Sequence, residues 1–172
     1  MRWMTMNPGK QFEGDFADSA RKFGHYVRIR DPILENRSAG GGYTFGDRCP
    51  YDCLLYRYPH QYCLELKSTA GSNISYDGAS PMIKKHQIEE LAKAARTNGV
   101  FAGFILNFRR SGRTWFIDIR DFLCFRDAST RKSLNENDCI LIGTEVPGTK
   151  KKVHWDYDLS PLWGEGQIRL ED

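Results

Sequence analysis

Apolar residues recur at helical spacing in two stretches of the chain, and each stretch predicts an amphipathic helix. The first begins after Asn7, whose side chain can cap a helix, and Pro8, whose fixed φ suits the first helical position. Its predicted buried stripe consists of Phe12, Phe16, Ala20 and Phe23. The second helix is predicted over residues 82–97, after Ser80-Pro81. Its apolar face consists of Ile88, Leu91, Ala92 and Ala95.

Shorter stretches around these helices have the apolar pattern of β-strands. Residues 25–30 alternate between polar and apolar, as in a strand with one solvated face. Residues 100–108 are almost continuously apolar, which is typical of a strand in the centre of a sheet. The remaining strands are predicted over 51–56, 61–67 and 114–119. The resulting order is helix, three strands, helix and two strands.

Two stretches lie outside this pattern. Residues 31–50 are rich in Gly, Pro, Ser and Asn, and we predict a long flexible loop there. The C-terminal extension, residues 140–172, is too apolar to be free in solution, so we predict that it packs on the core or on a dimer partner. With 172 residues and 40% hydrophobic content, the chain is expected to form a single domain.

The net charge and the cysteine content limit which binding partners and which cellular compartment are expected for this domain. A formal net charge of +3 permits an anionic partner, but an argument for nucleic acid must rest on local clusters. No apolar run has the length of a signal peptide or a membrane span, and the five scattered cysteines indicate free thiols in a reducing cytoplasm. A zinc site is disfavoured because the candidate ligands fit no common spacing. Those candidates are Cys49, Cys53, His60 and Cys63.

Ionisable residues interrupt the apolar pattern on the strands within 51–67. Glu65 lies in an apolar stretch that predicts a buried strand, and Lys67 projects to the same face because side chains alternate along a strand. Asp52 belongs to the preceding strand. Buried charges are costly unless something pairs with them. A divalent cation held by Asp52 and Glu65, with Lys67 beside it, would meet that cost, and so would an ion pair that only braces the sheet.

Three more polar residues lie near the predicted buried faces of the helices. Glu13 lies at the edge of the first apolar stripe, where it either points toward the sheet or is a solvated acid in the first turn. Lys84 and Gln87 continue the stripe of the second helix toward its N-terminus, where apolar residues would be expected. Facing the charged residues of the sheet would explain these positions, and a solvent-exposed helix end is the alternative.

The motifs resemble those of a known class of enzyme. An Asp followed about a dozen residues later by Glu-x-Lys, here Asp52 and Glu65-Leu66-Lys67, is similar to the signature of the restriction-endonuclease-like PD-(D/E)XK nucleases. The order of the elements resembles theirs as well. Across residues 7–140 the chain resembles the RecU type of Holliday junction resolvase, and we expect a phage-borne relative of it. The supporting segments are Gly9–Glu13, Tyr51-Asp52, Glu65–Thr69, Lys85–Glu89 and Arg131–Leu134.

This resemblance implies an α/β fold with a restriction-endonuclease-like core, in which helices flank a central mixed sheet. It implies a DNA endonuclease that hydrolyses phosphodiester bonds with Mg²⁺, for which Mn²⁺ can substitute. The expected metal ligands are Asp52, Glu65 and the backbone carbonyl of Leu66. Glu13 is expected to reach the metal or a water bound to it.

The other expected roles follow from the same resemblance. Lys67 would orient the attacking water or stabilise charge in the transition state, and Gln87 would position the phosphate or the Lys67 amine. Because a four-way junction has approximate two-fold symmetry and two strands to cut, a C2 homodimer is expected. Contacts to the DNA backbone are expected from Lys10, Lys84, Lys85, Arg109, Arg110 and Arg113.

One segment departs from the RecU type. Residues 31–50 take the position of a long stalk that enters the junction, but they are fewer and include only Arg37 and Arg48 as basic residues. This departure affects the expected selectivity for junctions more than the expected nuclease chemistry. One alternative is a nuclease of the same fold that acts on DNA ends, flaps or duplex. Another is a non-catalytic DNA-binding protein, which the presence of all the predicted catalytic residues disfavours.

Overall fold

A computed structural model of the chain describes residues 7–30, 33–35, 43–45 and 49–163. The helices of this part are α1 (Pro8–Ala20), α2 (Lys85–Ala94), α3 (Ile119–Ala128), α4 (Glu136–Ile142) and a 3₁₀ helix, Ser160–Trp163. Its strands are β1 (His25–Arg28), β2 (Ile33–Glu35), β3 (Tyr43–Phe45), β4 (Cys53–Arg57), β5 (His60–Thr69), β6 (Asn73–Ser75), β7 (Val100–Phe108), β8 (Arg113–Asp118), β9 (Ser133–Asn135), β10 (Thr144–Glu145), β11 (Gly148–Lys150) and β12 (Trp155–Tyr157). None of these helices is long and apolar enough to cross a membrane.

A six-stranded mixed sheet, in the order β1-β4-β5-β7-β8-β10, forms the centre of the fold. Strands β5 and β7 are parallel, with Gln61 opposite Val100 and Thr69 opposite Phe108. The other neighbouring pairs are antiparallel. A parallel pair needs a crossover connection, and α2 lies within the one that joins β5 to β7. The predicted central mixed sheet flanked by helices is therefore confirmed.

Helices cover both faces of this sheet, and alternation along β5 assigns its side chains to the two faces. Leu64 and Leu66 belong to the apolar cluster that includes α1. Cys63 belongs to the cluster that includes α2 and α3. Because successive side chains in a strand point to opposite faces, Glu65 and Lys67 lie on the face that α2 covers.

The start of α1 agrees with the sequence prediction, whereas the start of α2 does not. Asn7 accepts a hydrogen bond from the backbone of Gly9 at 2.9 Å, and Pro8 is the first helical residue. Helix α2 begins at Lys85 instead of residue 82. The predicted cap, Ser80-Pro81, was wrong because Ser75 binds the backbone that follows Pro81. The hydroxyl of Ser75 accepts from the N–H of Met82 at 3.0 Å, and the carbonyl of Ser75 accepts from the N–H of Ile83 at 2.9 Å.

The segment 31–50 is partly regular. Strands β2 and β3 pair in antiparallel fashion, with Ile33 opposite Phe45 and Glu35 opposite Tyr43. The prediction of an uninterrupted loop was therefore wrong for these six residues. The other features that the sequence offered there, Arg37, the run Gly40-Gly41-Gly42 and Arg48, lie outside the described residues.

The described part of the C-terminal extension packs on α1. The buried Asp15 of α1 contacts the imidazole of His154 at 2.7 Å and accepts from the backbone of Trp155 at 3.0 Å. One turn later, Ser19 accepts from the backbone of Tyr157 at 2.9 Å. The buried apolar residues of this stretch are Tyr157, Leu159 and Leu162. Polar residues on the inner side of α1 thus satisfy backbone groups of β12.

Candidate active site

The site lies where β4 ends beside the middle of β5. Strand β4 pairs with β5 as far as Cys53 opposite Leu64, and the backbone N–H of Asp52 adds a bond to the Leu64 carbonyl at 3.1 Å. Two residues further along β5, the N–H of Leu66 donates to Oδ2 of Asp52 at 2.8 Å. The Asp52 carboxylate thus accepts the next hydrogen bond from β5 where strand β4 ends. The carbonyl of Leu66 points to the same side as its N–H, toward Asp52.

Two side chains donate to one oxygen of Glu65. The Lys67 ammonium lies 2.6 Å from Oε1 of Glu65, as expected for two residues on one face of a strand. The amide nitrogen of Gln87, in the first turn of α2, donates to the same oxygen. The amide oxygen of Gln87 accepts from the backbone of Lys84 at 2.8 Å, which sets the orientation of the amide. Gln87 therefore connects the start of α2 to β5.

Burial makes the charge on Glu65 costly. Only 3% of this residue is exposed. Burial, together with the negative charge of Asp52, raises the pKa of Glu65 to about 7, although Lys67 acts in the opposite direction. Once Glu65 ionises, Asp52 and Glu65 together carry two negative charges beside the ammonium group of Lys67. A cation bound between them would favour the ionised form of Glu65.

Asp52, Glu65 and Gln87 line an open cleft of about 330 Å³ between the β4–β5 pair and the start of α2, and Lys67 lies behind Glu65 without being part of the lining. The cleft also includes Ile29, Tyr51 and His86, which were not predicted as site residues. Tyr51 and His86 directly adjoin predicted site residues in the sequence, which was the signal available for them. Burial raises the pKa of the Tyr51 hydroxyl above its ordinary value. The full lining is Ile29, Cys49, Tyr51, Asp52, Glu65, Lys84, His86 and Gln87.

The donor set fits a hard divalent cation. Among residues 7–30 and 49–163, no group of three or more His, Cys, Asp or Glu side chains is arranged to hold a metal. Asp52 and Glu65 offer two carboxylates, and the Leu66 carbonyl is directed to the same side. Mg²⁺ keeps several waters and needs only one or two carboxylates, and Mn²⁺ accepts the same oxygen ligands. Zinc is not supported, since Cys53 and Cys63 lie on opposite faces of the sheet.

Glu13 does not join this cluster. Its carboxylate forms an ion pair with Arg28 of β1. It is absent from the lining of the cleft. The guanidinium already balances its charge, so the arrangement gives no support to the expectation that Glu13 reaches a metal.

Comparison with known proteins gives a relative and a fold. The chain is 30% identical over 175 residues to the SPbeta prophage-derived uncharacterized protein YotM of Bacillus subtilis (strain 168). The alignment covers 92% of this chain and 86% of YotM. The chain belongs to the YotM family. No established family profile matches the sequence.

A solved structure with a similar fold is Archaeoglobus fulgidus Hjc, a Holliday junction resolvase from an archaeal hyperthermophile. The TM-score is 0.54 at 20% sequence identity, over 80% of this chain and 95% of Hjc. Similarity at this level of identity shows a shared fold. The YotM-family chain therefore has the restriction-endonuclease-like fold that its sequence predicts.

Five of the six basic residues predicted to contact DNA have exposed positions in the YotM-family protein. Lys84 lines the cleft, and Lys85, next to it, lies 3.7 Å from Glu89. Arg109 and Arg110 are exposed in the turn between β7 and β8. The fifth, Lys10, is exposed on the first turn of α1.

Arg113 differs from these residues because its guanidinium is engaged within the protein. It donates to the two carboxylate oxygens of Glu145 at 2.8 and 2.9 Å. It also lies over the ring of Trp115, 4.5 Å from the centroid. A bidentate and stacked guanidinium has little capacity left for phosphate. Arg109 and Arg110 therefore remain candidate contacts to DNA, whereas Arg113 does not.

Proposed function

We propose that this YotM-family protein is a Mg²⁺-dependent DNA endonuclease that cuts branched DNA, with four-way junctions as its main substrate. The observation that carries the proposal is the arrangement of Asp52, Glu65 and Lys67 at the meeting point of β4 and β5. Hjc, which has the same fold, is a Holliday junction resolvase. The prophage origin of YotM supports the further proposal of a phage-borne resolvase of the RecU type.

In this proposal Asp52, Glu65 and the Leu66 carbonyl hold the cation. Bound Mg²⁺ would polarise a phosphate oxygen and lower the pKa of water, which is the chemistry that phosphodiester hydrolysis needs. Gln87 keeps Glu65 in place, because it donates to Oε1 and is itself held by the backbone of Lys84. In this proposal Gln87 therefore acts on the carboxylate instead of the phosphate or the Lys67 amine.

Lys67 acts directly on the reacting groups in this proposal. An ammonium group has three N–H donors, and Glu65 accepts from one of them. The side chain is 18% exposed, so solvent reaches it while its position stays fixed by Glu65. The other donors can orient the attacking water or bind the phosphate oxygens as their charge increases.

Backbone phosphates would be bound by exposed basic residues around this centre, chiefly Lys84, Lys85, Arg109 and Arg110. Such contacts position DNA without reading its sequence. A C2 dimer would place two equivalent sites on a substrate that has two strands to cut.

A second candidate is a nuclease of the same fold that acts on DNA ends, flaps or duplex. The observation in its favour is the segment that replaces the expected stalk. Its described strands, β2 and β3, have only three residues each. A short segment gives less surface with which to recognise the centre of a junction.

Incubation with four-way, Y-shaped and linear DNA of matched sequence tests the proposal. We expect symmetric cuts in four-way DNA with Mg²⁺ and no cuts in EDTA. Faster cleavage of Y-shaped or linear DNA would favour the second candidate. Binding without cleavage of any substrate, in either Mg²⁺ or Mn²⁺, would leave only a DNA-binding role for this fold.

A further inference from the structure

Another cleft, of about 590 Å³, lies at the end of the sheet beyond β5 and β7. The chain after β5 forms one wall, the β7–β8 turn forms a second, and the start of α4 forms a third. The lining residues that matter here are Ser72, Asn73, Phe108, Arg110, Ser111 and Asn137. Arg110 is proposed above to bind a backbone phosphate, and the other five have no role in the function proposed above.

This cleft and the candidate active site lie along the same face of the sheet. Glu65, Lys67 and Thr69 are alternate residues of β5 and share one face. The N–H of Gly71, on the wall of the cleft, donates to the Thr69 hydroxyl at 2.9 Å. Phe108, opposite Thr69 in β7, belongs to the apolar cluster of that same face. At about 3.3 Å per residue, Lys67 and Gly71 are separated by roughly 13 Å of chain.

The walls of the cleft are mostly neutral and rich in hydrogen-bonding groups. Its acid, Glu136, accepts from Ser111 at 3.0 Å and lies 3.7 Å from the guanidinium of Arg113, which it shares with Glu145. Arg110 is exposed and contributes positive charge. Asn73 and Asn137 are exposed amides, each with donors and an acceptor. Such amides can form hydrogen bonds with the edges of nucleobases, whereas the guanidinium of an arginine can form charged hydrogen bonds with a phosphate.

We propose that this cleft holds one nucleotide of the substrate strand, a few positions from the bond that is cut. Arg110 contacts its phosphate, and the amides of Asn73 and Asn137 contact its base. The volume lies within the range of sites that enclose small organic ligands, and one nucleotide is of that size. This inference rests on the proposed nuclease function, because it assumes that a DNA strand follows the face of β5 away from Glu65.

An abasic-site scan of a four-way DNA tests the inference through binding alone. A single base is removed at successive positions on each side of the cleavage site, and affinity is measured in EDTA. For the wild-type protein we expect one position at which the loss of the base weakens binding about tenfold. For the double variant Asn73→Ala/Asn137→Ala we expect intact DNA to bind about tenfold more weakly, and the position-dependent loss to disappear.

The matched control is Asn98→Ala. Asn98 is also exposed, but it precedes β7 at the opposite end of the sheet. This variant should retain both the wild-type affinity and the wild-type scan. Because Asn73 and Asn137 are exposed, we expect the double variant to have the same circular dichroism spectrum and melting temperature as the wild type.

Two results would overturn the inference. One is a flat scan for the wild-type protein, and the other is a double variant that keeps the wild-type profile. If the wild type still cuts four-way DNA in Mg²⁺ while either result is obtained, this inference fails and the proposed nuclease function stands. If the wild type neither binds nor cuts DNA, both fail.

Discussion

The side-chain amide of Gln87 donates to Oε1 of Glu65, which joins the first turn of α2 to the middle of β5. Lys67 donates to the same oxygen from two residues along the strand. Neither contact uses Oε2 of Glu65. The arrangement explains how a residue that is only 3% exposed keeps its carboxylate in a fixed orientation in an apolar sheet.

Replacing Lys67 should separate catalysis from metal binding. We expect Lys67→Ala to lower the cleavage rate by about a hundredfold or more, because an ammonium group that acts on the reacting atoms is removed. Metal binding should be retained, since an amine beside a cation is not one of its ligands. Calorimetric titration with Mn²⁺, together with single-turnover cleavage, measures both effects. Joint loss of metal binding and activity would instead favour an ion pair that only braces the sheet.

The pH dependence of stability should reveal the burial of Glu65. An unfolded Glu titrates near pH 4.3, whereas the folded pKa is raised to about 7. The folded state therefore binds the proton more tightly. The free energy of unfolding of the metal-free protein should fall as the pH rises between these two values.

Urea unfolding in EDTA at pH 5 and pH 8 measures this effect. Relative to Glu65→Gln, the wild type should lose on the order of 2–3 kcal/mol between the two pH values. Glu89→Gln is the matched control, because Glu89 is a largely exposed residue of α2. Its pH dependence should follow the wild type. If the free energy of unfolding changed equally with pH in all three proteins, the raised pKa of Glu65 would be contradicted.

Added Mg²⁺ should reverse this loss of stability. A ligand that binds only the folded state stabilises it by about 2.7 kcal/mol at a hundred times its dissociation constant. At pH 8 we expect Mg²⁺ to raise the melting temperature of the wild type and to leave Asp52→Asn unchanged. Equal stabilisation of both proteins would mean that the cation binds elsewhere.

Neutralising the turn between β7 and β8 should weaken DNA binding without regard to DNA shape. For Arg109→Gln/Arg110→Gln we expect the log–log salt dependence of affinity to become shallower by about 0.9 for each phosphate that the variant no longer binds. Arg21→Gln, at the far end of α1, is the control and should keep the wild-type slope. An unchanged slope in the double variant would place the DNA on another surface.

The sequence predicts the fold well where the periodicity of apolar residues is strong. The capped start of α1 and the buried strand β7 depend on local sequence, and both were predicted. The start of α2 could not be predicted, because the backbone after Ser80-Pro81 bonds to Ser75 of β6. Turn residues before an apolar stripe do not reveal a partner that lies in another element.

The contacts of the candidate site were predictable only where they follow from the alternation of side chains along one strand. Alternation along one strand brings Lys67 to Glu65, so that pair follows from the sequence. Whether Gln87 bonds to the amine or to the carboxylate depends on how α2 sits on the sheet. The pairing of Glu13 with Arg28 depends likewise on the packing of α1 against β1. Local sequence carries no information on either contact.

The central claim is that Asp52 and Glu65 form a metal-dependent site for DNA cleavage. Single-turnover cleavage of a labelled four-way DNA in Mg²⁺ tests it most directly, with Asp52→Ala, Glu65→Ala and the exposed control Asp18→Ala compared with the wild type. We expect both site variants to lose at least about a hundredfold in rate while DNA binding in EDTA is kept, because the phosphate contacts come from other residues. Asp18→Ala should cut normally. Cleavage by either site variant at close to the wild-type rate would contradict the claim and place the active site elsewhere.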